Sequence, residues 1–301
     1  MAISASQVKE LRERTGAGMM ECKKALAAAD GDMEAAVEQM RISGLAKADK
    51  KSANTAAEGV VAIRLSDDNK RFAMAEINSQ TDFAAKAEDF VAFTDRVTAA
   101  VLADRPATVD QIRIDGEPLE EARKTLVAKI GENVQVRRIA SGETDGLHGG
   151  YSHGVRIGVV VELEGGDEAL ARDVAMHVAA SRPQAVDESG VPAELLERER
   201  AILVAEAAES GKKPEIVEKM VDGRMRKFLA ESTLVGQPFV KDPDRSVGEL
   251  LKGRGATVRS FHRFEVGEGI EKVESNFADE VMAQVRDSEK KDDGKDDGKH
   301  G

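Results

Sequence analysis

The chain has 301 residues, of which 41% are hydrophobic and 33% are charged, and its formal net charge is −12 at pH 7. This length is sufficient for two or three domains with at least one sizeable core. Because an acidic surface repels a phosphate backbone, the composition argues against direct binding of nucleic acid. The one cysteine, Cys22, excludes an intramolecular disulfide and a zinc ribbon.

The sequence lacks the motifs of common catalytic and cofactor sites: there is no P-loop, no dinucleotide-binding glycine motif and no nucleophile elbow. We therefore expect no enzyme activity, no cofactor and no metal site. No apolar run approaches the roughly 18 residues of a membrane span. The first residues also lack the pattern of a secretory signal. We expect a cytoplasmic chain with no membrane partner.

Residues 1–45 predict a module of three short helices. The helical spacing of Met19, Cys22 and Leu26 places these residues on the buried stripe of the second helix. So small a core is marginal alone, which favours a recognition module. Residues 46–57 are small and charged without an apolar stripe, and they predict a linker that is helical in part.

The hydrophobic period changes after residue 57, which indicates α+β structure with antiparallel sheets. Residues 58–140 predict a first core unit that contains a β-hairpin, a helix beginning near Phe83 and a further helix over residues 119–130. A second core unit is predicted for residues 141–182 together with residues 230–266.

The two core units share a pattern of strand, acidic turn and helix. The alternation from Val61 to Leu65 recurs from Ile157 to Leu163, and a turn and an amphipathic helix follow each time. We interpret this recurrence as a weak internal duplication of one α+β unit.

Residues 183–229 carry two short apolar stripes around a Gly-Lys-Lys-Pro break and predict an inserted helical hairpin. Two interpretations stay open: the hairpin pairs with a second copy to form a homodimer, or it braces the core. Residues 267–286 predict a last amphipathic helix. The tail, residues 287–301, has nothing to bury and is expected to be disordered.

The segment from Asn78 to Lys86 joins a predicted strand to a predicted helix. Thr81 is suited to cap that helix, and Asp82 in its first turn complements the positive end of the helix dipole. By periodicity alone, Phe83 is the first core residue of the helix, in register with Phe90.

Of the pair of methionines at positions 19 and 20, one suffices for the buried stripe of the second helix, and the other would be an adaptable contact if exposed.

The histidines and the cysteine have ordinary structural interpretations. His148 and His153 lie in a predicted glycine-rich loop that offers no third metal ligand, so they are either plain loop residues or contacts to a partner. His177 lies on an apolar helical face and is expected to be a hydrogen-bonded core residue. Cys22 is expected to be a small buried thiol.

Six sequence blocks, in the same order along the chain, resemble those of the elongation factor Ts family. They are residues 11–26, 78–83, 153–160, 175–180, 236–240 and 263–269. The resemblance implies a ubiquitin-associated-like three-helix module, a duplicated α+β core, an inserted helical hairpin and a C-terminal helix. It also implies binding to elongation factor Tu and acceleration of GDP release.

The same resemblance assigns roles to individual residues. Thr81, Asp82, Phe83 and Ala84 would form a turn that enters the GTPase near the elements that hold its magnesium. The family usually has valine where this chain has Ala84, which affects only the packing behind the turn. The residues expected to contact the partner elsewhere are Lys9, Arg12, Met19 and Met20 on the first module and His153 in the core.

The main alternative is an adaptor that binds a partner through the same module and core without promoting exchange. Mixing the protein with a GTPase loaded with fluorescent GDP separates the two hypotheses, because an adaptor leaves the release rate unchanged. An enzyme is a distant third, since the sequence shows no distinctive catalytic constellation.

Overall fold

A computed structural model describes residues 3–209 and 213–271 of the chain. The α-helices of this part are α1 (Ala5–Thr15), α2 (Met19–Ala28), α3 (Met33–Lys51), α4 (Asp82–Ala85), α5 (Glu88–Asp104), α6 (Leu119–Ile130), α7 (Glu168–Ser181), α8 (Ala193–Ala208), α9 (Pro214–Ser232) and α10 (Val247–Gly253). The strands are β1 (Glu58–Leu65), β2 (Arg71–Ser79), β3 (Arg113–Ile114), β4 (Glu117–Pro118), β5 (Val134–Glu143), β6 (Leu147–His153), β7 (Ile157–Glu164), β8 (Pro238–Phe239), β9 (Asp242–Ser246) and β10 (Thr257–Glu265). All named strand pairs are antiparallel, which confirms the predicted α+β class.

The first three helices form a small module around Val8, Leu11, Cys22, Leu26 and Ala36. Capping side chains define where its helices begin: Ser4 forms a capping box at α1, and Asp32 accepts a hydrogen bond from the backbone of α3. The helices appear where the sequence predicts them. The ubiquitin-associated-like character of the module stays a prediction.

Helix α3 continues beyond the module into the region predicted to be a linker. It ends only at Lys51, so the first part of residues 46–57 is helical. Ala48 is fully buried and belongs to the core cluster that also holds Phe90 and Leu126. The end of α3 therefore packs against the first core unit and connects the module to it. The small and charged residues of this segment do not predict that contact.

The first sheet has the order β1-β2-β5, and α5 and α6 cover one of its faces. Successive side chains of β2 point to opposite faces of the sheet. Ala73, Ala75 and Ile77 pack against the helices, whereas Phe72 and Met74 belong to a second cluster on the other face. Both faces of this central strand are thus buried.

The second sheet has the order β10-β7-β6, with α7 and α10 packed in its core cluster. Strand β6 occupies most of the segment predicted to be a glycine-rich loop, so that prediction is wrong. A β-carbon on Gly149 would lie 2.4 Å from the β-carbon of Ala171 in α7. The glycine therefore allows α7 to lie directly on β6. A glycine-rich composition alone does not show whether the glycines permit such close packing or form a loop.

The two sheets pack against each other through their remaining faces. Val61, Phe72 and Met74 of the first sheet share a cluster with Val160 of the second and with Val266. Buried Glu76 of β2 lies at the same interface and accepts a hydrogen bond of 2.8 Å from the backbone N–H of Gly267. The sheets thus form the two inner layers, and the helices of each unit lie outside them.

One topology recurs in the two units, but the strands correspond differently from the predicted repeat of Val61–Leu65 at Ile157–Leu163. β2 and β7 are the central strands of their sheets, so β7 corresponds to β2 and not to β1. The predicted boundary between units at residues 140 and 141 also falls inside β5, which continues to Glu143. A hairpin, a helix and a returning third strand recur in both units.

The insertion predicted for residues 183–229 contains α8 and α9, which pack together around Leu203, Ala207 and Val221. Helix α9 continues to Ser232, past the predicted end. Most of the predicted C-terminal helix, residues 267–286, and the whole tail, residues 287–301, lie outside the described residues. Among the helices that are described, none combines the length and apolar character needed to cross a membrane.

Candidate partner-binding site

An exposed aromatic side chain stands at the junction of β2 and the helices that follow it. Phe83 is 79% exposed to solvent. The interpretation of Phe83 as the first core residue of a long helix is therefore wrong. The chain forms only the four-residue helix α4, leaves the helical conformation at Ala87, and begins α5 at Glu88. This interruption removes Phe83 from the register of Phe90.

The turn that carries Phe83 is fixed to the core by its own first and last residues. Thr81 caps α4, and its hydroxyl accepts a hydrogen bond of 3.2 Å from the backbone N–H of Ala84. Ala84 and Ala85 are buried beneath the turn. A short apolar inner face thus anchors the turn while the aromatic ring points away from it.

Asp82 lies beside Phe83 and forms an ion pair within the same turn. Its carboxylate is 2.6 Å from the Lys86 ammonium, and the hydrogen bond from Lys86 lowers the pKa of Asp82. The ammonium is also 5.7 Å from the centroid of the Phe83 ring, within the range of a cation–π contact. All three side chains are exposed, so these contacts orient the groups more than they stabilise the fold.

Glu132 supports the turn from the connection between α6 and β5. Its carboxylate accepts hydrogen bonds from the Thr81 backbone N–H at 3.0 Å and from the Thr81 hydroxyl at 2.9 Å. The role of Glu132 is not predictable from the sequence, because nothing in the local pattern around residue 132 points to a partner 51 positions earlier.

The four candidate residues of the first module are all on its surface. Met19 is 57% exposed and Met20 is 67% exposed, so the expectation that Met19 fills the buried stripe is wrong. Of α2, Cys22 and Leu26 are buried in the core of the module, whereas Met19 lies in the first turn of the helix and is not part of that cluster. Lys9 and Arg12 are exposed on α1.

The two histidines of the predicted loop have different environments. His153 is exposed at the end of β6, and its Nδ1 lies 3.3 Å from the hydroxyl of Tyr151. His148 is buried, with its ring 4.8 Å from that of Phe72 between the two sheets. His148 is therefore unavailable to a partner, contrary to the loop prediction, and burial lowers the pKa of its imidazole.

His177 and Cys22 are core residues, as the sequence indicated. The Nε2–H of His177 donates to Gln237 at 2.9 Å, and its Nδ1 accepts from the backbone N–H of Val240 at 3.2 Å. Burial lowers the pKa of this imidazole. Cys22 is a buried free thiol.

Within residues 3–209 and 213–271, no group of three or more His, Cys, Asp or Glu side chains is arranged to hold a metal ion.

The exposed turn lies at the start of a region that matches a known family. The sequence profile described as Elongation factor TS matches residues 80–268. Elongation factor Ts from Alkalilimnicola ehrlichii is 61% identical over 292 residues, which cover 96% of this chain and 100% of the relative. The chain belongs to the elongation factor Ts family.

Further elongation factor Ts proteins are similar over nearly their whole length. The protein from Thioalkalivibrio sulfidiphilus is 62% identical over 95% of this chain and 99% of the relative. The protein from Methylococcus capsulatus is 58% identical over 96% of this chain and 100% of the relative. Membership of the elongation factor Ts family implies guanine nucleotide exchange on elongation factor Tu during translation elongation.

Proposed function

We propose that this chain binds elongation factor Tu in its GDP form and promotes GDP release by inserting the turn that carries Asp82 and Phe83. The observation that carries this proposal is the exposure of Phe83 on a turn anchored by buried Ala84 and Ala85. An aromatic ring held in solvent gains hydrophobic free energy only when a partner covers it. The protein contributes binding free energy and catalyses no bond-breaking step.

Nucleotide exchange is a coupling between two ligands of the GTPase. The factor and GDP each weaken the binding of the other by the same factor, as thermodynamic linkage requires. Burial of a phenylalanine side chain contributes roughly 1.5–3 kcal/mol. If the partner offers the pocket for Phe83 only when its nucleotide site is distorted, this free energy favours the distorted state.

Asp82 adds an electrostatic component to the same event. In the free protein its carboxylate is paired with Lys86 in a solvent-exposed contact, which is weak enough to exchange for a new partner. We propose that Asp82 then competes for donors that otherwise support the magnesium ion and the phosphates. The magnesium belongs to the GTPase.

The remaining contacts would hold the factor in place. Met19 and Met20 are exposed, flexible apolar side chains, which adapt well to a partner surface. Lys9 and Arg12 on the same module provide positive charge for polar contacts. His153 in the second core unit would contact a different domain of elongation factor Tu.

The test is the release of fluorescent GDP from purified elongation factor Tu at increasing concentrations of the factor. We expect the wild-type chain to accelerate release. We expect Phe83→Ala to lower the maximum release rate more than it raises the half-saturating concentration. An adaptor would bind but leave release unchanged, and wild-type rates with Phe83→Ala would contradict the insertion of the ring.

A further inference from the structure

Three separate segments of the chain meet behind the exposed turn. The first is the end of β2 with Gln80 and Thr81, the second is the connection of α6 to β5 with Glu132 and Asn133, and the third follows α3 at Asn54. The α4 turn itself has only four residues, too few to hold a conformation by itself. Its conformation therefore depends on these neighbours.

Glu132 makes the most direct contact with the turn. Its carboxylate accepts from the backbone N–H of Thr81 at 3.0 Å and from the hydroxyl of Thr81 at 2.9 and 3.1 Å. The same hydroxyl oxygen accepts from the N–H of Ala84 at 3.2 Å. Thr81 thus links a carboxylate on one side to the first turn of α4 on the other, and these charge-assisted hydrogen bonds fix the backbone just before Asp82 and Phe83.

Glu132 is itself held in position by its neighbours in the chain. Helix α6 ends at Ile130, and its C-cap Gly131, in the left-handed conformation with φ 82°, directly precedes Glu132. Asn133 is fully buried, its backbone N–H donates to the Gln80 side chain at 2.8 Å, and its amide donates to the Asn54 carbonyl at 2.7 Å. The backbone next to Glu132 is therefore fixed by hydrogen bonds to Gln80, just before the turn, and to Asn54, in the segment that follows α3.

We propose that Glu132 is a positioning residue for exchange: by clamping Thr81 it holds Asp82 and Phe83 in the conformation that enters the partner. This inference rests on the proposed function. Glu132 acts through Thr81 and does not touch the GTPase. Holding the turn in advance removes the entropic cost of ordering it when it enters the nucleotide site of the bound partner, so loss of the clamp lowers the maximum rate of GDP release.

The first experiment follows the turn without the partner. Hydrogen–deuterium exchange of a peptide spanning Thr81 and Ala84 is compared between wild type, Glu132→Ala and a control, Glu117→Ala, which alters an exposed glutamate of β4. Glu132→Ala is expected to accelerate exchange of these two amides about fivefold or more, the effect of losing a hydrogen bond of about 1 kcal/mol. The control is expected to match wild type.

The second experiment measures GDP release from elongation factor Tu. Glu132→Ala is expected to lower the maximum release rate about fivefold or more while the half-saturating concentration changes less. Glu132→Gln, which keeps one acceptor, is expected to lie between wild type and Glu132→Ala. If Glu132→Ala does not fold, as judged by thermal unfolding, Glu132→Gln and Thr81→Val carry the test. Thr81→Ser keeps the hydroxyl and is expected to release GDP faster than Thr81→Val.

A double-mutant cycle decides whether Glu132 acts through Thr81. The effects of Thr81→Val and Glu132→Ala on release are expected to be non-additive, because both remove the hydrogen bond between the Thr81 hydroxyl and the Glu132 carboxylate. Fully additive effects, or wild-type release and amide protection in Glu132→Ala, would overturn the inference. Phe83→Ala is measured in parallel: if it is impaired while the Glu132 variants are not, only the clamp fails, whereas wild-type release by Phe83→Ala refutes the proposed function.

Discussion

The two core units show how the same strand-to-helix junction serves two purposes. Thr81 after β2 and Asp167 after β7 are both helix N-caps that follow the central strand of a sheet. In the second unit the cap leads directly into the continuous helix α7. In the first unit it leads into the four-residue α4, and only after a break does α5 begin. The extra turn carries Phe83 outward, while the second unit has the small side chain of Ala169 after its cap.

The two units share the way in which the helix after the central strand ends. Arg105 and Arg182 end α5 and α7 in the left-handed conformation, with φ 47° and 49°. Each pairs with a glutamate at the end of the third strand of its own sheet, Glu143 or Glu265. The two units thus share the way in which this helix ends and differ at its start, where the first unit has the additional turn that exposes Phe83.

The central strands also differ in how they use a carboxylate. Glu76 of β2 is fully buried and paired with Arg137 and Arg138, whereas Glu162 of β7 accepts from the hydroxyls of Thr144 and Ser260. Burial raises the pKa of Glu76, but its hydrogen bonds from Gly267, Asn78 and the arginines outweigh burial and lower it. The first unit therefore depends on its carboxylate more than the second.

The largest expected effect is on the stability of the inter-sheet contact. Glu76→Ala removes the buried carboxylate that accepts from Arg137, Arg138 and the Gly267 N–H, and we expect a loss of about 3–5 kcal/mol in unfolding free energy. Glu162→Ala removes hydroxyl contacts at a partly buried site, and we expect a loss of about 1 kcal/mol. Urea denaturation of both variants checks the difference, and equal losses would show that the two carboxylates are equivalent.

The second prediction tests whether GDP release requires the additional α4 turn or only an aromatic side chain after the helix cap. Phe83→Ala is expected to lower the maximum rate of GDP release about tenfold to a hundredfold, as the burial of one phenylalanine implies. Adding Ala169→Phe to this variant places a ring after the corresponding cap of the second unit without the extra turn. We expect no recovery of release, and recovery would mean that the junction of the first unit has no special role.

The third prediction concerns pH and the histidines that flank Phe72 between the sheets. Burial lowers the pKa of both His148 and His262 below their unfolded value of 6.5, so the unfolded chain binds more protons than the folded chain as the pH falls through that value. Stability contributed by the neutral rings is present above pH 6.5 and is lost as the pH falls below it.

Thermal unfolding between pH 7.5 and 5.5 measures this loss. The double variant His148→Gln and His262→Gln is expected to lose less stability over this range than wild type. His153→Gln is the matched control, because His153 is exposed. An unchanged pH dependence in the double variant would exclude these histidines as its source.

The smallest expected effect comes from Lys86, which pairs with Asp82 on the surface of the turn. Lys86→Met removes the ion pair that lowers the pKa of Asp82, and we expect that pKa to rise. Because the pair is exposed, the half-saturating concentration of the factor should change by no more than about threefold. A much larger change would mean that Lys86 itself contacts the GTPase.

Much of the fold was predictable from the sequence because its signals are local. The helix over Leu119–Ile130 was predicted at its observed bounds from apolar spacing, and the β1–β2 hairpin from alternation around a polar turn. The burial of Cys22 and His177 followed from helical faces. The strand β6 was missed because glycines that permit close helix packing have the composition of a loop.

The sequence by itself determined most of the helices, the β1–β2 hairpin, the caps at Ser4 and Asp32, and the family, since each is encoded in short stretches of neighbouring residues. Only the tertiary structure decided that Phe83 is exposed, that His148 is buried and that Glu132 clamps Thr81. Periodicity describes one face of a continuous element, but it does not show a helix break at Ala87 or which sheet covers a strand. Contacts between residues 51 positions apart exist only once the chain has folded.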